Sequence, residues 1–358
     1  MPIDFPNAPT TGSTFTSGNR TWQYDGAKWV PASTSPSGFV LEASTDGQSY
    51  ERQNSVWVPS VGFAQGFTNR LRNGGFDVWQ RGAGGFSCPA GTVTYTADGW
   101  IVTPTGAAVT ASQNANGLTN ATRYALTVTG AAGVTGELIQ QRLESFVSAP
   151  LDGKTVTFQV KIYQNSGATI TPQLSMLYPN AADNWPGGYS TVLSAVNLQP
   201  CPNNAVTQVA YTFAMPAATA VNGLAVNIGF GTHGAWAFVL GEADLRATPG
   251  LPVGLQANPP PPELRPIHEE LAFCQRYYDV QTHSMLIGAY AAGILFGYTF
   301  PFHAQMRTVP TMILSNTTYS NSSGMTAQSQ GMNVMLYATA TAIGGAQWTT
   351  TINASAEL

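Results

Sequence analysis

The chain has 358 residues, enough for two or three domains with a sizeable core. Charged residues make up only 9%, against roughly a quarter in an ordinary soluble domain, while 43% are hydrophobic. That balance excludes a disordered chain, and a formal net charge of −4 with only 14 Lys and Arg argues against binding a nucleic-acid backbone.

The opening MPIDFPNAPTTG has no basic start followed by an apolar run, so no secretory signal is expected. A diverged repeat follows. Trp22-Gln-Tyr-Asp-Gly-Ala-Lys-Trp29-Val-Pro31 aligns with Tyr50-Glu-Arg-Gln-Asn-Ser-Val-Trp57-Val-Pro59, each copy being a short run, a turn and a second run. Asp25-Gly26 is a strong hairpin signal, and aromatics paired across two strands stabilise such a unit. A lone hairpin is marginal, so these units are expected to pack on sister chains or on a partner.

Next come Asn69-Arg-Leu-Arg-Asn-Gly-Gly75-Phe-Asp77-Val-Trp79-Gln-Arg-Gly82 and Tyr95-Thr-Ala-Asp98-Gly-Trp100. The first predicts an opening strand with Phe76, Val78 and Gln80 on one face and Asp77, Trp79 and Arg81 on the other. Trp79, Asp98 and Trp100 have two readings: a sugar-binding box, or aromatic packing of a sheet onto its first strand.

From Trp100 to Leu245 the text is short alternating strands, among them 123–129, 154–163, 170–178, 206–213, 224–230 and 235–240. Val156, Phe158, Val160 and Ile162 alternate with Thr155, Thr157, Gln159 and Lys161, the pattern of a half-buried strand. No helical period intervenes, which predicts an all-β sandwich of jelly-roll type. Within it, Asn180-Ala-Ala-Asp183-Asn-Trp185-Pro-Gly-Gly-Tyr189 places two aromatics beside an acid and amides. Sugar rings bind such groups, and a structural plug is the other reading. Cys88, Cys201 and Cys274 are odd in number and far apart; they read as buried thiols, with a Cys88–Cys201 bridge as the alternative.

Pro259 to Pro262 should be extended polyproline, a stiff spacer. Glu263–Asp279, ELRPIHEELAFCQRYYD, then predicts a short helix whose apolar face is Ile267, Leu271, Cys274 and Tyr278, a joint between two β-rich bodies. Met285–Phe302 carries no charge, yet it is short for a membrane span and holds Gly288, Gly293, Gly297 and Pro301. It reads as two strands and a turn. Beyond residue 279 only Arg307 and Glu357 are charged.

Catalytic patterns are decoys. Gly153-Lys154-Thr155 lacks the upstream glycine of a phosphate loop, where Ser148 stands, and a strand follows it. His268-Glu269 has Ala272 where a zinc motif needs histidine, and no metal or other cofactor is expected. His233, His268, His283 and His303 read as surface or packed residues. Asp77, Asp98, Asp183, Glu242 and Asp244 are the carboxylates a glycan-cleaving enzyme would draw on, and no pair is placed together by spacing.

Five stretches resemble bacteriophage tail-fibre and receptor-binding proteins. The hairpins are similar to the D-G-x-x-Y-x-R-x-N-x-x-W-V repeats at the starts of such fibres. The next two stretches resemble N-x-x-x-N-G-x-F-D-x-W-Q-R-G followed by Y-T-A-D-R-W, with Gly99 in place of the arginine. Residues 265–278 resemble R-P-I-x-E-E-L-x-x-C-Q-R-Y-Y, and Arg307-Thr-Val-Pro310-Thr resembles an M-R-x-x-P-T step that opens a terminal β-domain. The resemblance implies a mostly β chain: attachment hairpin repeats over 1–62, a carbohydrate-binding-module-like jelly-roll body over 63–247, connector and helix over 248–279, and a C-terminal β module over 280–358. It implies a virion protein assembled in the host cytoplasm, a non-enzymatic tail fibre, homotrimeric, with no membrane insertion.

Particle attachment falls to Trp22, Trp29, Tyr50 and Trp57, and contact with host glycan to Asp183, Trp185, Tyr189, Trp79, Asp98 and Trp100. The alternatives are a capsid, neck or baseplate decoration fibre, or a capsule-depolymerising hydrolase.

Overall fold

The computed structural model describes residues 4–18, 20–31, 50–53, 56–59, 68–119 and 121–358. It divides into two units, Met1–Phe63 and Ala64–Leu358. In the first, β1 (Thr14–Ser17), β2 (Arg20–Tyr24) and β3 (Trp29–Pro31) form a three-stranded sheet. Trp22, Phe15, Trp29 and Phe5 gather into an aromatic mini-core, with Phe5 stacked on Trp29 at 5.5 Å. The second copy repeats the pairing. Trp22 faces Pro31 and Tyr24 faces Trp29; 28 residues on, Tyr50 of β4 (Tyr50–Gln53) faces Pro59 and Arg52 faces Trp57 of β5 (Val56–Pro59). The Asn54-Ser55 turn lies outside the described residues.

The second unit opens with irregular chain, not the expected strand. Asn73 and Phe76 take positive φ (50° and 57°). The Asn73 side chain holds the bend by accepting from Val78 N and donating to Val78 O, 2.9 and 2.8 Å, so the buried backbone is satisfied without a ladder.

The sandwich follows. Its strands are β6 (Gly84–Cys88), β7 (Thr94–Tyr95), β8 (Trp100–Thr105), β9 (Val109–Asn114) and β10 (Ala125–Thr129). After β11 (Gly136–Leu143) and the short helix α1 (Ser145–Ser148) come β12 (Thr155–Gln164), β13 (Gln173–Pro179) and β14 (Tyr189–Asn197). β15 (Thr207–Ala214), β16 (Leu224–Gly229), β17 (Ala237–Ala247) and β18 (Gly254–Leu255) complete it. One sheet has seven strands in the order β18-β15-β12-β17-β10-β9-β6, the other six in the order β14-β13-β16-β11-β8-β7. All pairings are antiparallel, and eight of the eleven join strands that are not consecutive in the chain, a jelly-roll-like arrangement. Val156, Phe158, Val160 and Ile162 meet Leu174, Met176, Val226 and Ile228 in the core between them.

The proline-rich connector is not a spacer. It straps the outside of the seven-stranded sheet: Gln159 donates to Pro260 O at 2.7 Å, and Asp244 accepts from Glu263 N at 2.8 Å. Helix α2 (Ile267–Gln275) then buries Glu270 and Cys274, whereas Ile267 is exposed. The predicted apolar face is thus displaced, because the Glu270 carboxylate receives Asn73 N (2.6 Å) and Arg265 (3.3 Å) from the side facing the sandwich.

The last module holds β19 (Tyr278–Ala289), β20 (Leu295–Pro301), β21 (Thr311–Ser320), β22 (Ser322–Gln330), β23 (Asn333–Ala340) and β24 (Gly344–Ser355). Two three-stranded sheets, β19-β24-β21 and β20-β23-β22, enclose Phe296, Phe300, Leu336 and Trp348. Met285–Phe302 is therefore two strands and a turn, and no helix among the described residues is long and apolar enough to cross a membrane.

The two motif stretches meet at one joint. Arg72, buried, lies over the Tyr277 ring at 3.8 Å and pairs with Glu357 at 2.6 Å. Arg81 lies over Tyr278 at 3.6 Å and pairs with Glu357 and Asp98 at 3.1 and 3.3 Å. Glu144 accepts from Arg276 and from the Tyr277 hydroxyl at 2.8 and 3.0 Å. Gly99 explains its own identity: a Cβ there would collide with the Arg72 guanidinium.

Burial, opposed by the Gln80 N–H and Arg81, pushes the Asp98 carboxyl up to about 7. A carboxyl raised on folding retains its proton in the native state while the unfolded chain has lost it. Its contribution to stability is therefore full near pH 4 and is lost as pH rises through about 7. Asp244, raised by burial to about 6, acts in the same direction. Urea midpoints should fall between pH 4.5 and 7.5, and Asp98→Asn should flatten that slope; an unchanged slope in the variant would refute the assignment.

The three cysteines are free and buried. Burial lifts Cys88 and Cys201 to about 11 each and Cys274 higher than its ordinary range. A thiol reagent should label none in the native protein and three after unfolding. Labelling of one after unfolding would indicate a disulfide.

Candidate glycan-binding face

Strand register lines up the outward residues of the six-stranded sheet. Leu174, Met176, Val226, Ile228, Ile139 and Leu143 point into the core, so Ser175, Asn227, Gln140 and Arg142 point out. Gln140 sits opposite Asn227, and Asn227 opposite Ser175. Their side chains join in a row across three strands. Arg142 Nε donates to Gln140 Oε1 at 2.9 Å, Gln140 Nε2 to Asn227 Oδ1 at 2.7 Å, and Asn227 Nδ2 to Ser175 Oγ at 3.4 Å. Gln140 and Asn227 form a covered amide floor, with Leu138, Arg142, Ser175 and Leu177 half-buried around it. One row along, Gln173 donates to Asn197 at 3.0 Å.

The 180–189 loop walls this face at the Arg142 end. The Arg142 guanidinium lies 5.2 Å from the Trp185 ring, which is buried, and the indole Nε1 has no hydrogen-bond partner. Asn184 accepts from Gly187 N at 3.1 Å and closes the short turn that carries Trp185. Tyr189, 60% exposed, opens β14 at the lip. Next to it, Ser190 Oγ donates to Asn180 Oδ1 at 2.8 Å. Above this covered floor the face presents the Tyr189 ring, Ser175 and part of Arg142, whose Nη1 also donates to Leu358 O at 2.9 Å; an aromatic ring, a hydroxyl and a cation suit sugar ring faces and hydroxyls.

The six residues marked from the sequence divide. Tyr189 and Trp185 frame the face. Asp183 does structural work instead, accepting from Ser145 N (2.6 Å) and Ser145 Oγ (2.9 Å) at the start of α1. Trp79 is half-buried, donates to Phe76 O at 2.6 Å and stacks on Phe86. Trp100 is 0% exposed and stacked on Phe76 at 4.7 Å, and Asp98 is buried against Arg81. The sugar-box reading of Trp79, Asp98 and Trp100 is thereby corrected: Asp98 and Trp100 have no open surface, and all three brace the joint and the core. The sequence reading missed Gln140, Asn227 and Ser175. Their signal was an amide or hydroxyl at the outward position of an otherwise apolar strand, as in Leu224-Ala-Val-Asn227-Ile.

The other carboxylates are engaged as well. Glu242 pairs with Lys161 at 2.5 Å, Asp244 with Arg246 at 3.4 Å, and Asp77 accepts from Arg123 N and Tyr124 N. His233 is fully buried and paired with Glu137. Among the described residues no group of three His, Cys, Asp or Glu is arranged to hold a metal ion.

No family profile and no curated protein sequence matches this chain. Among solved structures, the strand arrangement is similar to the enzymatically active domain of tailspike protein 4 of bacteriophage CBA120. That match has 12% identity and a TM-score of 0.35, over 51% of this chain and 22% of the tailspike chain. It is also similar to the C-terminal family 22 carbohydrate-binding module of Clostridium thermocellum Xyn10B, with 12% identity and a TM-score of 0.33, over 46% of this chain and 99% of the module. A third likeness is to TmCBM61 in complex with β-1,4-galactotriose, with 10% identity and a TM-score of 0.31, over 51% of this chain and all of that one. The chain is mostly β, built of antiparallel sheets packed as sandwiches.

Proposed function

We propose that this chain is a bacteriophage virion structural protein, a tail fibre that adheres to a glycan on the host surface. The Met1–Phe63 hairpins attach it to the particle, through the aromatic group that includes Trp22 and Trp29. The open face of the six-stranded sheet holds the glycan, without cofactor or bond cleavage. The observation that carries the glycan reading is the register-locked row Arg142–Gln140–Asn227–Ser175 beside Trp185 and Tyr189. The phage reading rests on the motif resemblance. The carboxylates a hydrolase would use are tied to Arg81, Ser145, Lys161, Arg246 and backbone N–H groups, which favours adhesion over hydrolysis.

Calorimetric titration of the full chain with host surface polysaccharide tests this reading. Tyr189→Ala removes an exposed ring at little cost to folding, and Ser175→Trp fills the face. Each should weaken binding at least tenfold while unfolding midpoints stay close to the parent's. Release of new reducing ends would favour the hydrolase. Binding indifferent to both variants would place the glycan elsewhere.

A further inference from the structure

We infer that Tyr95 and residues 356–358 are positioning residues of the proposed glycan face: they fix the Arg142 guanidinium and, through it, the direction in which the amide row presents donors and acceptors to a ligand. The inference rests on the glycan reading and deepens it, by naming what holds that face ready to bind.

Arg142 lies where the face meets the joint. Its backbone carbonyl accepts from Arg72 Nη1 at 3.2 Å, its Nε donates to Gln140 Oε1 at 2.9 Å, and its Nη1 donates to Leu358 O at 2.9 Å. Leu358 O also accepts from the Tyr95 hydroxyl at 2.7 Å, so side chains of β7 and β11 grip the same atom. The terminal module supplies that atom. Beyond β24, Ala356 N donates to Tyr277 O at 2.8 Å, and Arg307 donates to Ala356 O and Glu357 O at 2.9 and 3.2 Å. Glu357 in turn pairs with Arg72 and Arg81.

The arginines of this region differ in what they meet. Arg72, Arg81 and Arg276 each pair with a carboxylate side chain, at 2.6, 3.1 and 2.8 Å. Among the described residues no Asp or Glu side chain pairs with Arg142, and its Nη2 makes no hydrogen bond. That nitrogen belongs to a half-buried side chain beside the Trp185 ring, at the edge of the face. A long side chain ordered before a ligand arrives lowers the entropy cost of binding.

The hold on Arg142 also sets the polarity of the row. A guanidinium only donates, so Gln140 turns Oε1 towards it and Nε2 towards Asn227. Gln140 Nε2 donates to Asn227 Oδ1 at 2.7 Å, which leaves Asn227 Nδ2 to donate to Ser175 Oγ at 3.4 Å. Ser175 therefore accepts from the sheet and keeps its own O–H for a ligand. With the guanidinium swung away, nothing in the row fixes which way the Gln140 and Asn227 amides point, and Ser175 no longer presents a fixed donor.

Calorimetric titration of the full chain with purified host surface polysaccharide tests the inference. Tyr95→Phe keeps the ring beneath the Arg81 guanidinium and removes the hydroxyl. It should weaken binding about three- to tenfold, the range for one hydrogen bond, while the urea midpoint stays close to the parent's. Arg142→Gln should weaken binding further. Adding Tyr95→Phe to Arg142→Gln should then change nothing, because the hydroxyl acts only through the guanidinium. Parent-like affinity in Tyr95→Phe, or losses that add in the double variant, overturn the inference. A second readout needs no variant. Coupling is reciprocal, so bound polysaccharide should slow hydrogen exchange of the peptide spanning residues 354–358 at least threefold, and unchanged exchange overturns the inference too. The two proposals separate cleanly. A parent that binds, loses affinity in Tyr189→Ala and ignores Tyr95→Phe leaves adhesion standing and refutes the positioning role; a parent that binds no polysaccharide refutes both.

Discussion

Replacing Glu357 by alanine should destabilise the protein by about 3–5 kcal/mol, the range for leaving one partner of a buried ion pair uncompensated. Glu357 answers two guanidiniums at once, Arg72 at 2.6 Å and Arg81 at 3.1 Å, with its own side chain almost fully covered. Burial works against the Arg72 charge; Glu357, with Tyr277 and Tyr95, outweighs it, so the Arg72 pKa sits above its ordinary value. Without Glu357 that cation loses its carboxylate partner and stays buried over the Tyr277 ring, with the Arg142 carbonyl accepting from it at 3.2 Å. Arg72→Met should recover part of the loss when combined with Glu357→Ala, because an apolar side chain of similar length can occupy the site without a counter-charge. Equilibrium urea unfolding of the three variants measures both the loss and the recovery. A Glu357→Ala loss below about 1 kcal/mol would show that the joint does not depend on this pair.

Trp100→Ala should cost a similar amount, about 3–5 kcal/mol, through the cavity left by a fully buried indole. The ring stacks on Phe76, and its Nε1 donates to Asn73 O at 3.1 Å, so it fixes the bend that also presents Asn73 N to Glu270. Trp100→Phe should cost less, about 1–3 kcal/mol, retaining most of the packing and losing one hydrogen bond to the Asn73 carbonyl, which still accepts from Phe76 N. Neither variant should change glycan affinity at temperatures where it remains folded. A selective loss of binding in folded Trp100→Phe would restore the sugar-box reading of that motif and sink the structural one.

The two motif stretches were legible as motifs but not as partners. Ile267, Leu271, Cys274 and Tyr278 have helical spacing, yet helix α2 turns Glu270 and Cys274 inward and leaves Ile267 in solvent. Spacing ranks residues by hydrophobicity and has no means of anticipating that a carboxylate would be drawn inward by Asn73 N and Arg265. β11 was missed for a related reason. Its text, Gly136-Glu-Leu-Ile-Gln-Gln-Arg-Leu143, looks polar because Glu137 and Gln141 face inward, where Glu137 Oε2 meets His233 and Gln141 bonds the Arg72 backbone. The proposed glycan face depends on that strand, so it went unseen while its flanking Trp185 and Tyr189 were marked.

Composition and local alternation were enough to establish a β-rich, charge-poor chain with duplicated N-terminal hairpins, strands such as β12 and β16, and two strands in place of a membrane span. Those features depend on which side of a backbone a residue occupies, and the order of residues settles that. Which buried acid meets which base, that the polyproline run straps a sheet, and that Gln140, Asn227 and Ser175 share one line were decided by the tertiary fold. Arg72–Glu357, Gln159–Pro260, Gln140–Asn227 and Asn227–Ser175 join residues 52 to 285 positions apart, and the energy of such a contact depends on burial and geometry that arise only once the sheets are packed.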